Sequence, residues 1–176
     1  MQSTLFDLYA ADTVHVLLPV EGQGSQRQFA YYCANRTVNC SNNGASHDCI
    51  KVVRRFLRGR ATAQDLQDAT DSLEAQLAQR MYYPYGSAAR FSMEAVLAAA
   101  GPKPNAGSAS SNAIQAAGAI VADRKRARCI APTVDEERDA REAERAKQLK
   151  YLSALLLART LPPTPRRKRQ RKDNRT

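Results

Sequence analysis

Thirty of the 176 residues are Ala, against only 8 Gly and 8 Pro, and no other feature narrows the fold of this chain as far. Ala loses no side-chain entropy on entering a helix and buries no polar group, so it heads the helix-propensity scale. The excess favours helices and argues against a sandwich or a barrel, which need many turn residues. Hydrophobic residues make up 43% of the chain, but aromatics are 6% and Trp is absent. The core must therefore be built from Leu, Val, Ile and Ala. The expected architecture is mainly α: an irregular multi-helix bundle or array forming one domain over residues 1–160, with a long C-terminal helix, followed by a disordered basic tail over 161–176.

Local signals divide that domain into elements. Thr4 and Asp7 can cap a first helix to about Val16, although Val14, Val16 and Leu18 alternate as in a short strand. Ser25 followed by Gln28 begins a second helix through Phe29, Tyr32 and Cys33. The polar stretch 35–48, with Asn42, Asn43 and Gly44, reads as a loop. A basic amphipathic helix then runs from Asp48 or Cys49 to Arg58, with Gly59 at the C-terminal cap. Thr62 and Asp65 open the next helix, whose apolar face is Leu66, Ala69, Leu73, Leu77 and Met81. Tyr82, Tyr83 and Tyr85 cluster around Pro84 in a connector. A helix over 87–100 ends at Gly101 and Pro102, and a Gly/Ser/Pro-rich linker spans 101–111 before a helix capped by Asn112 and running to Arg128. Thr133 and Glu136 make a capping box for the last helix, Val134 to about Thr160, roughly 40 Å long at about 1.5 Å per residue. Its first half is charged and faces solvent or a partner, while its Leu-rich second half docks on the domain.

The charge is concentrated. The chain carries 27 Lys and Arg against 17 Asp and Glu, a net +10, and most of that excess sits in the last twelve residues. Arg166, Arg167, Lys168, Arg169, Arg171, Lys172 and Arg175 face a single acid, Asp173, after Pro162, Pro163 and Pro165 have stopped the preceding helix. Such a block repels itself and buries nothing. It can bind nucleic acid by releasing counterions, bind anionic lipid, serve as a nuclear-import signal, or simply confer solubility. Nucleic acid leads, because no acylation motif or apolar anchor accompanies the run. Lys51, Arg54, Arg55 and Arg58 fall at i, i+3, i+4 and i+7, so a helix places them in one stripe, able to face phosphates or merely water. Arg124, Lys125, Arg126 and Arg128 have a simpler use, since cations stabilise a helix C-terminus.

Cys33, Cys40, His47 and Cys49 form the one constellation with metal chemistry in it. Three thiolates and an imidazole are a permitted tetrahedral zinc set. Zinc loops usually open with a pair two to four residues apart, whereas the intervening spacings here are six, six and one, a pattern of no common finger or knuckle, so unrelated thiols, some of them simply buried, are the favoured reading. Cys129 is expected as a small core residue. Zinc aside, no cofactor is expected and neither is an enzyme: His15 and His47 are the only imidazoles, and no phosphate loop or nucleophile elbow is present. No run approaches the roughly 18 to 20 apolar residues of a membrane span. Asp7, Asp12 and His15 stand where a signal peptide would be apolar, so an intracellular location is expected, cytoplasmic or, in a eukaryotic host, nuclear.

Asp48, Ile50, Arg55, Phe56, Leu57, Gly59, Ala61, Thr62, Leu66 and Ala69, with Glu144, Gln148, Leu149 and Leu152 farther on, resemble a group of alanine-rich helical bacterial and phage proteins labelled putative immunity proteins. The resemblance implies an all-helical array and a protein-binding role; it supplies no catalytic residues. The chain lacks that group's Trp and adds a Cys-bearing segment and a basic tail. Two functions are therefore expected: a nucleic-acid-associated accessory protein using Lys51, Arg54, Arg55, Arg58 and the cations of the tail, or a helical protein-interaction module of immunity-like, phage or viral accessory type. A small zinc-binding regulatory protein is a third.

Overall fold

A computed structural model describes residues 23–41, 43–79 and 86–160. The N-terminal helix expected from Thr4, the Tyr cluster around Pro84 and the basic tail lie outside them. The described residues are all helical or connecting: α1 Gln23–Thr37, a 3₁₀ turn Val38–Cys40, α2 Gly44–Leu57, α3 Ala63–Ala78, α4 Ala88–Ala100, α5 Ala106–Arg126 and α6 Val134–Thr160, with no strand among them.

Helices α2 to α6 each start where a side chain can accept orphaned N–H groups of the first turn. Asn43, Thr62, Ser87 and Asn105 cap α2 to α5 in turn. At α6 the Thr133 hydroxyl accepts from Glu136 N and donates to Glu136 Oε2 at 2.7 Å, and Thr133 N donates to the same carboxylate at 3.2 Å. Lys125 Nζ adds a cationic contact at 2.6 Å to Glu136 Oε1, so Lys125 and Thr133 together hold this carboxyl at about 2, well below its ordinary 4.5. The pair ties the end of α5 to the start of α6.

The fold is layered around α4 and α5, which share the most extensive helix contact. Ala95, Ala99 and Ala100 of α4 and Ala106, Ala109, Ala113 and Ala116 of α5 are all buried. Side chains this small let helix axes approach closely. α1 crosses both helices, carrying Phe29, Ala30, Cys33 and Ala34 into the core; α2 and α3 form a hairpin that adds Cys49, Ile50, Val53, Leu66 and Leu73; α6 lies along α5 and contributes Leu152 and Leu155. Ser92 Oγ of α4 donates to Thr37 O at 2.7 Å, inside the core, fastening the end of α1.

Four expectations need correction. The segment 35–48 is not a loop: α1 continues to Thr37, the 3₁₀ turn follows, and α2 begins at Gly44 because Asn43 Oδ1 accepts from Ala45 N at 2.7 Å. The Asn-Gly pair that signals a turn in isolation serves here as a helix start. Nor is 101–111 a linker throughout. Asn105 Oδ1 accepts from Ser108 N at 2.9 Å, α5 begins at Ala106, and Asn112 lies well inside it. Gly107, Ala109 and Ser110 are buried against neighbouring helices, so their small size reflects packing and not flexibility.

The charged half of α6 does not stand away from the body. Arg141 lies across Gly118 of α5, so closely that a Cβ at 118 would sit 3.0 Å from Arg141 Cγ. Finally, Cys129 is exposed, with φ +57°. It occupies the left-handed position that ends α5, donating to Arg126 O at 3.0 Å while Ile130 N donates to Lys125 O at 2.9 Å. Gly59 (φ +66°) fills the same place after α2, with the equivalent bonds to Phe56 O at 2.9 Å and from Arg60 N to Arg55 O at 2.8 Å. A Cβ at such a position crowds the following carbonyl. Cys129→Gly is thus expected to stabilise the fold by about 1 kcal/mol, visible as a higher melting temperature; an unchanged or lower one would mean that the Cys129 side chain contributes more than its strain.

Candidate functional site

The amphipathic division of α2 decides what its cations can reach. Ser46, Cys49, Ile50 and Val53 are buried, which turns Lys51, Arg54, Arg55 and Arg58 outward, and all four are exposed. The helix supports them electrostatically, because three of the four lie at or near its C-terminal end, where the backbone carbonyls favour positive charge. Lys51 Nζ pairs with Asp48 Oδ1 at 2.9 Å, with both side chains largely in water. An exposed pair of that kind contributes little stability and gives way readily to another anion. Arg55 reaches Arg60 O at 3.4 Å. Among the described residues, Arg54 and Arg58 form no ion pair.

Arg60 is an exposed cation that the helical periodicity does not pick out. It lies past the helix end, and only the Gly59 cap, by turning the chain back on α2, brings it beside Arg55. The stripe therefore has five cations. Its neighbour α3 has the opposite sign. Asp65, Asp68, Asp71 and Glu74 are all exposed, and Gln64 and Gln67 each donate to the acid four residues on, at 2.7 Å. Asp65 is held below the ordinary carboxylate range chiefly by hydrogen bonds from Thr62, with the nearby charge of Arg55 adding to the effect. The hairpin thus carries a basic helix and an acidic one side by side, and a polyanion approaching it is oriented toward α2.

The tail cations Arg166, Arg167, Lys168, Arg169, Arg171 and Lys172 lie outside the described residues. Arg124, Arg126 and Arg128 at the end of α5 are exposed. Arg126 pairs with Asp123 at 3.1 Å, and that carboxylate also accepts from Ala88 N at 3.2 Å at the start of α4.

The four proposed zinc ligands are spread over three elements: Cys33 on α1, Cys40 in the 3₁₀ turn, His47 and Cys49 on α2. Cys33 and Cys49 are fully enclosed among apolar side chains. Burial pushes the Cys49 thiol up to about 12, and burial, reinforced by the Glu144 carboxylate, pushes Cys33 higher still. Both are therefore held as neutral thiols at neutral pH when no cation lies beside them. Among the described residues no three His, Cys, Asp or Glu side chains gather in a way that could hold a metal ion. Nor is any described helix long and apolar enough to cross a membrane.

Neither a family model, nor a curated protein, nor a solved structure matches this chain.

Proposed function

We propose that the protein is a nucleic-acid-associated accessory factor that contacts phosphates through Lys51, Arg54, Arg55 and Arg58 of α2, with Arg60 beside them, and through the basic residues 166–172. The observation that carries this reading is the stripe itself: cations held on a rigid helix, exposed, with one surface carboxylate paired to them. Contact with phosphates alone fixes position without reading sequence. Binding is therefore expected to be indifferent to sequence and to weaken steeply with salt.

The test is fluorescence anisotropy on labelled duplex and single-stranded oligonucleotides across a salt series. Replacing Arg54 and Arg58 together by Ala should lower the slope of log affinity against log salt by roughly one for each contact removed. Removal of 166–176 should lower it further. Unchanged affinity and slope in both variants would sink the proposal.

A second reading, a protein-interaction module, has its own support. Leu149 and Leu157 are 37% and 62% exposed. They lie eight residues apart on α6, hence near one face, and a partner helix could cover them. The residues shared with putative immunity proteins do not favour either reading. Ile50, Leu66, Glu144, Gln148 and Leu152 are buried, and Gly59 and Thr62 end and begin helices. A partner retained in nuclease-treated extract by the chain without its tail, and lost on Leu149→Glu with Leu157→Glu, would favour this module over the nucleic-acid factor.

A further inference from the structure

Arg27 is an unusual residue to find inside a helix bundle. It is 6% exposed, on α1. Its Nη2 donates to Gly101 O at 2.7 Å and Pro102 O at 3.2 Å, where α4 ends, and its guanidinium sits over the Phe56 ring, 4.8 Å from the centroid. Nε has no acceptor. Burial depresses the guanidinium's pKa, and no carboxylate among the described residues offsets it. The α4 carbonyls supply only part of the compensation that a buried cation calls for.

The same side chain borders a cleft of about 530 Å³ between α1, α2, α3 and the end of α4. That volume lies within the range of ordinary small-molecule sites. Phe56, Leu57, Ala63 and Leu66 give it apolar walls, and Gln67 stands among them with an amide. A cleft with greasy walls and one unmatched buried cation is complementary to a ligand with an apolar body and a single negative charge.

We infer that this cleft binds a small organic acid, a monocarboxylate whose carboxylate lies beside the Arg27 guanidinium and whose hydrocarbon or aromatic body packs on Phe56, Leu57 and Leu66. Carboxylate matches the planar, forked N–H groups of guanidinium. A dianionic phosphate would bring more charge than one cation answers and would lose hydration against apolar walls. The site is on a different part of α2 from the phosphate-facing stripe, and it stands or falls independently of that stripe.

The test uses the full chain, ¹⁵N-labelled, titrated with octanoate, with octanol as the uncharged analogue and with inorganic phosphate. Octanoate should shift the amides of Gly24, Leu57 and Gln67 saturably, and octanol should bind at least about tenfold more weakly, the loss expected for one charged hydrogen-bonded contact. Phosphate should shift none of them. Arg27→Met should remove the preference for octanoate. Because that change also frees the carbonyls at the end of α4, Ala63→Phe serves as the second variant: it narrows the cleft from the exposed start of α3 without touching Arg27, and it too should weaken octanoate about tenfold or more. Equal affinity for octanoate and octanol, or undiminished octanoate binding in folded Ala63→Phe, would overturn the assignment.

Discussion

Replacing Arg36 with Met is expected to cost about 3 kcal/mol of folding stability, near the lower end of what removing one partner of a buried ion pair costs. Arg36 of α1 grips Glu144 of α6 in two parallel bonds, Nε to Oε1 at 2.6 Å and Nη2 to Oε2 at 2.8 Å. Glu144 is only 5% exposed. It also accepts from Gln148 Nε2 at 3.3 Å, and Gln148 Oε1 in turn accepts from Ser110 Oγ of α5 at 2.6 Å. One network thus joins three helices, and deleting Arg36 strands a carboxylate that is nearly closed off from water. The Arg36 side chain keeps 28% of its exposure, which is why the expected loss sits at the low end. Urea denaturation provides the measurement, and the double variant Arg36→Met with Glu144→Gln provides the check on cause. If the stranded charge is what costs, the double variant is more stable than Arg36→Met alone. A double variant as unstable as the sum of the two single changes would place the loss in packing instead.

Phe29→Ala should be the most damaging single substitution, at about 3 to 5 kcal/mol. Phe29 is completely enclosed and is the largest side chain among the described residues to be so. It belongs to the α1 face that enters the common core, and its ring centroid lies 6.4 Å from that of Tyr151 on α6. Ala is the commonest of the other core residues, and its short side chain cannot swing into a vacated volume. The cavity should therefore persist, and persistence is what puts a truncation at the costly end of the range. Domains of this size are typically stable by about 5 to 15 kcal/mol, so the variant is expected to show a much lower urea midpoint or no cooperative transition at all. A loss below about 1 kcal/mol would mean that α1 repacks freely.

What the sequence discloses about this fold is local. Thr62 with Asp65 and Thr133 with Glu136 announce helix starts, and Gly59 announces an end, because each acts on residues within one turn of itself. The all-helical class follows from Ala in the same way. The run Ala106 to Ser111 misleads for an instructive reason. Gly and Ser are turn residues by composition, but here Gly107 and Ser110 are buried under neighbouring helices that exploit their smallness, and nothing within the run reveals those helices. Cys129 misleads similarly, since a left-handed residue other than Gly leaves no signature.

Of the candidate site, the i, i+3, i+4, i+7 spacing of Lys51, Arg54, Arg55 and Arg58 is enough to place four cations on one face. Arg60 joins them only through the cap geometry. The contacts that assemble the body cannot be seen locally at all: Arg36 and Glu144 are 108 positions apart, and Arg27 meets Gly101 across 74. The Cys and His residues 33 to 49 look like a ligand set when written on a line. Folded, two of the thiols turn inward from different helices, and the set has no common centre.

One contact between α1 and α6 has an optical consequence. Tyr32 and Tyr151 stack with centroids 3.7 Å apart and planes 2° from parallel. At that separation the transition dipoles of the two phenols couple, so the pair absorbs as a unit. The chain has no Trp to collect tyrosine excitation or to bury its signal. Seating of the long helix on the first one is therefore written into the near-ultraviolet spectrum of the unlabelled protein, where its loss can be followed in real time.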